Sequence, residues 1–441
     1  MDRGRSGATA LGCRLPTRRG RSGAHSSPDV TPQQPHERSL RQRATLGLGQ
    51  LARATTIRIA GAVLVVVAVV GLSLWLQQAA GYGTPAVLSL WFGVALGVVF
   101  ERGRFCFFCI LREFFEERNS TGIYAILAAL AVGGIGYVLV AGAFLPDPSR
   151  GRLPPGAHIG PISPVLVAGG VAFGLGMCLA GGCISGLLYR VGEGYSRAPI
   201  GLLGVLLGFG LGFYSWNTLY LTFIAQAPVW WLPAWLGYGG ALALHLAVLA
   251  GVAVGLLPLL PHLSARTAQP ISLSSIGHAL FVPRWNPLPT GALVGVIGAV
   301  AYFRVEPLGV TAQLGSISRT VLHDAGALPA RLYGLDTLAG CATQVVQAIT
   351  TNGWLIGGLV AGSFAAALLA NRFQISRITP RNSGSALLGG ILMGWGAMVS
   401  LGCTVGVLLS GISVFALSGW VFTLAMLAGV WLGLRLRLHH V

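Results

Sequence analysis

The sequence has no lysine, and only 9% of its residues are charged. Soluble domains carry roughly 25% charged residues, so a chain this poor in charge is not an ordinary soluble one. Its mean hydropathy of +0.72 points the same way. Alternating strands of about ten residues, the mark of a membrane β-barrel, are missing. No glycine-rich phosphate-binding loop is present, which argues against ATP-driven chemistry within this chain. The nine histidines show no metal-ligand spacing. Few carboxylates fall inside apolar runs, which argues against a proton relay of buried Asp or Glu. The cysteines, at 13, 106, 109, 178, 183, 341 and 403, are odd in number and mostly sit in apolar stretches. No disulfide framework is expected from them.

What remains is a succession of apolar runs near 20 residues, the length that crosses about 30 Å of hydrocarbon. The expected fold class is an all-α polytopic membrane protein in the lipid bilayer. It should have about nine transmembrane helices plus short broken or re-entrant helices. The formal net charge of +17 comes entirely from 29 arginines, eleven of them before residue 59. Basic loops and tails on the cytoplasmic side explain such a balance, and no nucleic-acid partner is expected.

The chain is organised around a glycine-rich segment ending in a cysteine, and its second copy. Gly169–Gly186 reads GGVAFGLGMCLAGGCISG; Gly389–Gly406 reads GGILMGWGAMVSLGCTVG. A constant offset of 220 residues aligns them, with seven identities that include Gly182/Gly402 and Cys183/Cys403. Val140–Phe144 matches Val360–Phe364 at the same offset. An internal, pseudo-two-fold repeat is expected.

In chain order, residues 1–55 read as a disordered basic cytoplasmic tail, 56–260 as the first transmembrane repeat, 261–288 as a linker and 289–441 as the second repeat. Spans are expected at Ile57–Gln77, Tyr124–Phe144, Ile200–Leu221, Gly239–Leu260 and Trp354–Ala370, and the two glycine-rich signature segments cover Val165–Leu188 and Ser385–Cys403. Val87–Phe100 and Thr290–Phe303 are short, and a break is expected at Gly103. Gly181-Gly182-Cys183 is a second expected break, followed by a polar turn over 189–194. Leu335–Ile349 is expected to form a helix carrying Cys341. Thr404–Leu434 should hold a short helix and the last span. Trp230, Trp231 and Trp235 suit an interfacial aromatic belt.

The candidate site residues are Cys106, Cys183, Cys403, Arg104, Gly182 and Gly402. Helix N-termini at such breaks present free N–H groups and favour anions. A thiol adds a weak donor and a soft, polarisable contact for sulfur. The bland alternative is that buried thiols only pack. Arg104 beside Cys106 can hold an anion, or can simply anchor the chain at the cytoplasmic face. Cys106-x2-Cys109 alone is poor evidence for zinc. Cys178 reads as packing. Cys341 reads as packing or as the lining of a polar path.

Four stretches resemble the YeeE/YedE family of membrane proteins, associated with uptake of thiosulfate and related sulfur compounds. They are Gly103–Phe107, Gly176–Gly186, Asn352–Ser363, and Gly402–Gly411 closed by Ser418-Gly419-Trp420. The resemblance implies a pseudo-two-fold fold and a bacterial inner-membrane importer, not an enzyme, with no bound cofactor. It implies a path lined by Cys106, Cys183 and Cys403, along which thiosulfate passes by S–H hydrogen bonds. It also implies a cytosolic sulfurtransferase or sulfur-carrier protein as partner. Cys109 and Cys178 are extra thiols in or beside motifs that usually hold one. They leave open another sulfur or selenium substrate, or a membrane thiol/disulfide redox protein.

Overall fold

The structure is a computed structural model that describes residues 35–260, 284–329, 331–335 and 343–440, with the backbone alone at 35–55 and 440. Cys13, Cys341 and most of the expected linker lie outside the described residues. The described residues are nearly all helical and contain no named strand. Leaving out four short 3-10 and π-type turns, fourteen helices among the described residues follow in order: α1 Pro35–Gln78, α2 Gly83–Gly103, α3 Phe107–Glu117, α4 Thr121–Phe144, α5 Pro164–Ala180, α6 Ile184–Gly192 and α7 Arg197–Leu219. Then come α8 Pro233–Leu256, α9 Pro287–Arg304, α10 Ala312–Asp324, α11 Thr351–Leu369, α12 Pro380–Val399, the π-type helix α13 Thr404–Gly411, and α14 Leu417–Arg435. Among the described residues nine spans are long and apolar enough to cross a membrane. The pair α12–α13, bent by 43°, makes a tenth if it counts as one. The all-α polytopic reading is thus the observed one.

Local sequence explains where the spans start and stop. Ser163 and Thr379 each precede a proline and cap the next helix, their hydroxyls accepting from Leu166 N–H (3.2 Å) and Asn382 N–H (3.3 Å). Proline at the first helical position loses no bond, because that N–H has no partner in the helix. Helix α5 ends where Gly181 turns left-handed (φ 76°) and its N–H closes on Met177 C=O.

The centre is the crossing of α5 with α12. A Cβ on Gly169 would lie 3.0 Å from Gly396 C=O, and one on Gly176 only 2.6 Å from Gly389 C=O. Small residues at both ends of the crossing let the backbones touch, as membrane helices without a hydrophobic driving force require. Around this pair, α14 packs on α5, α7 on α12, α11 on α2 and α9 on α4. Helices α1 and α8 lie outermost, with much of their apolar surface exposed, Val63, Leu64 and Val254 among it. Trp285 N–H donates to Arg102 C=O, so α9 begins at the end of the bundle where α2 finishes.

Four expectations are corrected. Helix α1 begins at Pro35, inside the stretch read as disordered. Residues 343–350 are not helical; Thr320 and Ser316 hydroxyls tie that stretch to α10 instead. The polar turn after Cys183 starts only beyond Gly192, because α6 continues through Arg190. Trp231 is no interfacial residue: it is 2% exposed, and its indole donates to Val414 C=O at 2.7 Å. Trp235, at 80% exposed, does face outward.

Candidate functional site

Two helix breaks meet in the interior. At the first, Arg104 takes a left-handed conformation (φ 51°) and its N–H closes on Phe100 C=O. Phe105 stacks on Phe100 with centroids 5.5 Å apart, and edge-on to Phe107 at 5.5 Å. This aromatic cluster holds the turn so that Cys106 becomes the cap of α3, its C=O accepting from Ile110 N–H at 2.9 Å. At the second break, Cys183 caps α6. Its sulfur accepts from Gly186 N–H at 3.3 Å and lies 3.3 Å from the Ser185 hydroxyl.

The Cys106 thiol lies within hydrogen-bond reach of both Cys183 and Cys109. Gly186 floors the group: a Cβ there would sit 2.9 Å from the Cys106 sulfur and 3.3 Å from that of Cys183. Arg190, one turn further along α6, donates to Gly181 C=O at 2.6 Å and to the Cys109 sulfur at 3.0 Å. Its guanidinium also lies over the Tyr195 ring at 5.2 Å. A buried cation therefore stands beside three clustered thiols, none of them in a disulfide. Soft donors and a fixed positive charge suit a small anion carrying soft sulfur.

Cys403 belongs to another group. It caps α13, its C=O accepting from Val407 N–H at 2.7 Å. Its thiol is within hydrogen-bond reach of the Thr311 hydroxyl. Gly182 and Gly402 directly precede Cys183 and Cys403; Gly402 N–H closes on Ala397 C=O at 2.8 Å, ending α12. Cys178 packs between α5 and α14, donating to Val430 C=O at 3.5 Å. Among the described residues no group of three or more Cys, His, Asp or Glu is arranged to hold a metal.

The charge of Arg104 lies with Glu193 and Arg284 rather than with Cys106. At this end of the bundle Glu101, wholly buried, pairs with Arg102 (3.6 Å) and Arg372 (3.4 Å). Sequence reading missed this cluster and the role of Arg190. The only signal was charge at the rims of apolar runs far apart in the chain.

Burial raises the Glu193 carboxyl to about 7, against the pull of Arg190, Arg104 and Arg372. Burial and the neighbouring Arg104 and Arg372 lower Arg284 to about 10. A carboxyl raised in the fold contributes stability that is full below its unfolded value and lost as pH rises through the folded one. Glu193→Gln is therefore expected to gain stability relative to wild type between pH 5 and pH 8, by about 1–2 kcal/mol after allowing for screening. Melting curves in detergent across that range check this; a difference independent of pH would contradict it.

Nine apolar spans among the described residues, with thiols buried at the breaks between helices, define the class: a polytopic α-helical membrane protein. The chain belongs to the sulphur-transport family, matched over residues 102–432. It is therefore a transporter and not an enzyme. It is 30% identical over 360 residues to the thiosulfate transporter TsuA of Escherichia coli strain K12, covering 77% of this chain and 91% of that protein. It is 30% identical over 362 residues to the TsuA of Spirochaeta thermophila, covering 77% and 95%. Similarity to the probable transporter YedE of E. coli, 28% identical, covers 38% of this chain and 42% of that protein.

Proposed function

We propose that this protein imports thiosulfate, or a closely related small sulfur anion, across the bacterial inner membrane along a path lined by cysteine thiols. The observation that carries the reading is the meeting of Cys106 with Cys183 over Gly186 and with Cys109 beside it, where Arg190 donates to the Cys109 sulfur. Two relatives of nearly full-length coverage are named as thiosulfate transporters. Conduction needs sites that bind well enough to admit the ion and weakly enough to release it. Thiol hydrogen bonds, weak at about 0.5–1 kcal/mol each, meet both demands. Arg104 and Arg284 would draw the anion to the mouth.

The direction of import follows from the same proposal. Arg102, Arg104, Arg284 and Arg372 gather around Glu101 and Glu193 at one end of the bundle, which would be the cytoplasmic end under the positive-inside rule. A cytosolic sulfurtransferase or sulfur-carrier protein would consume the substrate there. The pseudo-two-fold repeat also belongs to this reading. Gly169 meets Gly396 while Gly176 meets Gly389; these are the contacts that exchanging the two copies would leave unchanged. The clustered thiols favour one rival, a membrane thiol/disulfide exchanger.

The test is uptake of labelled thiosulfate in a host lacking its own sulfate and thiosulfate importers. Uptake that resists a membrane-permeant reductant is the expected result. Well-expressed protein without uptake would sink the transport reading, and uptake abolished by the reductant would favour the exchanger.

A further inference from the structure

Cys106, Cys183 and Cys403 share burial, a cap position and one backbone bond, and a fourth residue has all three. Each is the wholly buried cap of a short interior helix, with its C=O accepting from the N–H four residues on. Thr311 has these features, with helical rather than extended backbone at the cap (ψ −20°): wholly buried, cap of α10, its C=O accepting from Gly315 N–H at 2.8 Å. It follows the end of α9 as Cys106 follows the end of α2, and those two helices run in opposite directions. Cys106 reaches Cys183, and Thr311 reaches Cys403. The four caps thus form two pairs, one thiol–thiol and one hydroxyl–thiol. The next residue, Thr404, carries a hydroxyl that is wholly buried and has no hydrogen-bond partner among the described residues.

We propose that Thr311 is the fourth substrate-binding group of the path, with its hydroxyl selecting for the oxygen-bearing end of the anion. The inference rests on the transport reading above. A hydroxyl is a stronger donor to oxyanion oxygens than a thiol. A thiol is the softer partner for sulfur. A path with one pair of each kind recognises an anion that carries both a soft sulfur and hard oxygens. The unsatisfied Thr404 hydroxyl adds a second donor on the oxygen-preferring side. Asn352 keeps this side in place: its side chain accepts from Gln313 N–H at 3.1 Å and donates to Gly309 C=O at 2.6 Å.

Thiosulfate uptake by wild type is compared with Thr311→Val and Thr311→Ser, with membrane expression and the melting point in detergent measured for each. Valine keeps the shape and loses the hydroxyl; serine keeps the hydroxyl. Thr311→Val is expected to raise KM at least about tenfold, the loss of roughly one buried hydrogen bond, with an unchanged melting point. Thr311→Ser is expected to stay within about threefold of wild type. A KM for Thr311→Val equal to that of a transporting wild type overturns the inference and leaves the transport reading intact. Equal losses in both variants, with lowered melting points, mean that Thr311 only packs, and also overturn it. No uptake by well-expressed wild type overturns the transport reading and this inference together.

Discussion

Cys183→Ala is expected to cut thiosulfate uptake at least about tenfold, while Cys178→Ala, five residues earlier, leaves uptake near wild type. Both thiols are buried, so exposure does not separate them; their partners do. The Cys183 sulfur stands within reach of Cys106 and at 3.3 Å from the Ser185 hydroxyl and from Gly186 N–H. Alanine removes the group a passing anion would meet there. A polar partner missing from a dry path costs about 1–3 kcal/mol, a factor of roughly ten to one hundred. The same change also removes a helix cap, which costs about 1 kcal/mol of stability, so the protein should still fold and insert. The Cys178 sulfur instead donates to Val430 C=O, and Gly433 leaves the space it fills on α14. Its loss opens a small void between α5 and α14 and touches no thiol of the site. Uptake per folded protein is the measurement. Equal losses for the two variants would remove the case that position at a break, rather than thiol chemistry in general, matters.

Gly358→Ala is expected to destabilise the protein by about 3 kcal/mol, the upper end of what overpacking costs, while Gly357→Ala leaves it as stable or slightly more so. A Cβ on Gly358 would lie 2.1 Å from Leu90 C=O and 2.9 Å from Val94 N, both backbone atoms of α2 that no rotamer change can move aside. Gly93 and Gly97 on α2 press back on Leu355 and Leu359 in the same way. One methyl group must therefore separate the two helices along their seam. The break that carries Cys106 follows α2 directly, so uptake should fall with stability. Nothing lies within 4 Å of a Cβ on Gly357. Alanine there only removes the conformational cost of a helical glycine, up to about 1 kcal/mol. Melting points of both variants in detergent decide the matter. Equal shifts would mean that α2 and α11 do not approach this closely.

The membrane class was legible in the sequence because a bilayer demands long uncharged stretches, and these are local properties. Two breaks were legible for a related reason. Gly103 and the Gly181-Gly182 pair mark places where a chain can leave the helix, and a polar residue just beyond marks the next cap. Of the expected helix over Leu335–Ile349, the described residues 343–349 are not helical, because backbone groups of Thr343, Gln344 and Val346 are held by Arg319, Ser316 and Thr320 of α10, 24 to 28 residues earlier. Helix α10 itself escaped notice, since Gln313, Ser316 and Arg319 make it too polar to read as a span.

The site divides along the same line. The sequence alone determined which residue types were available: thiols after glycines, repeated at a fixed offset in apolar surroundings. Only the tertiary structure decided that Cys106 faces Cys183, that Cys403 faces Thr311, and that Arg190 rather than Arg104 reaches the thiol cluster. Pairing of this kind depends on how α2, α5 and α12 cross. Those crossings are set by which glycines let one backbone touch another, a relation between distant residues that neither periodicity nor spacing along the chain encodes.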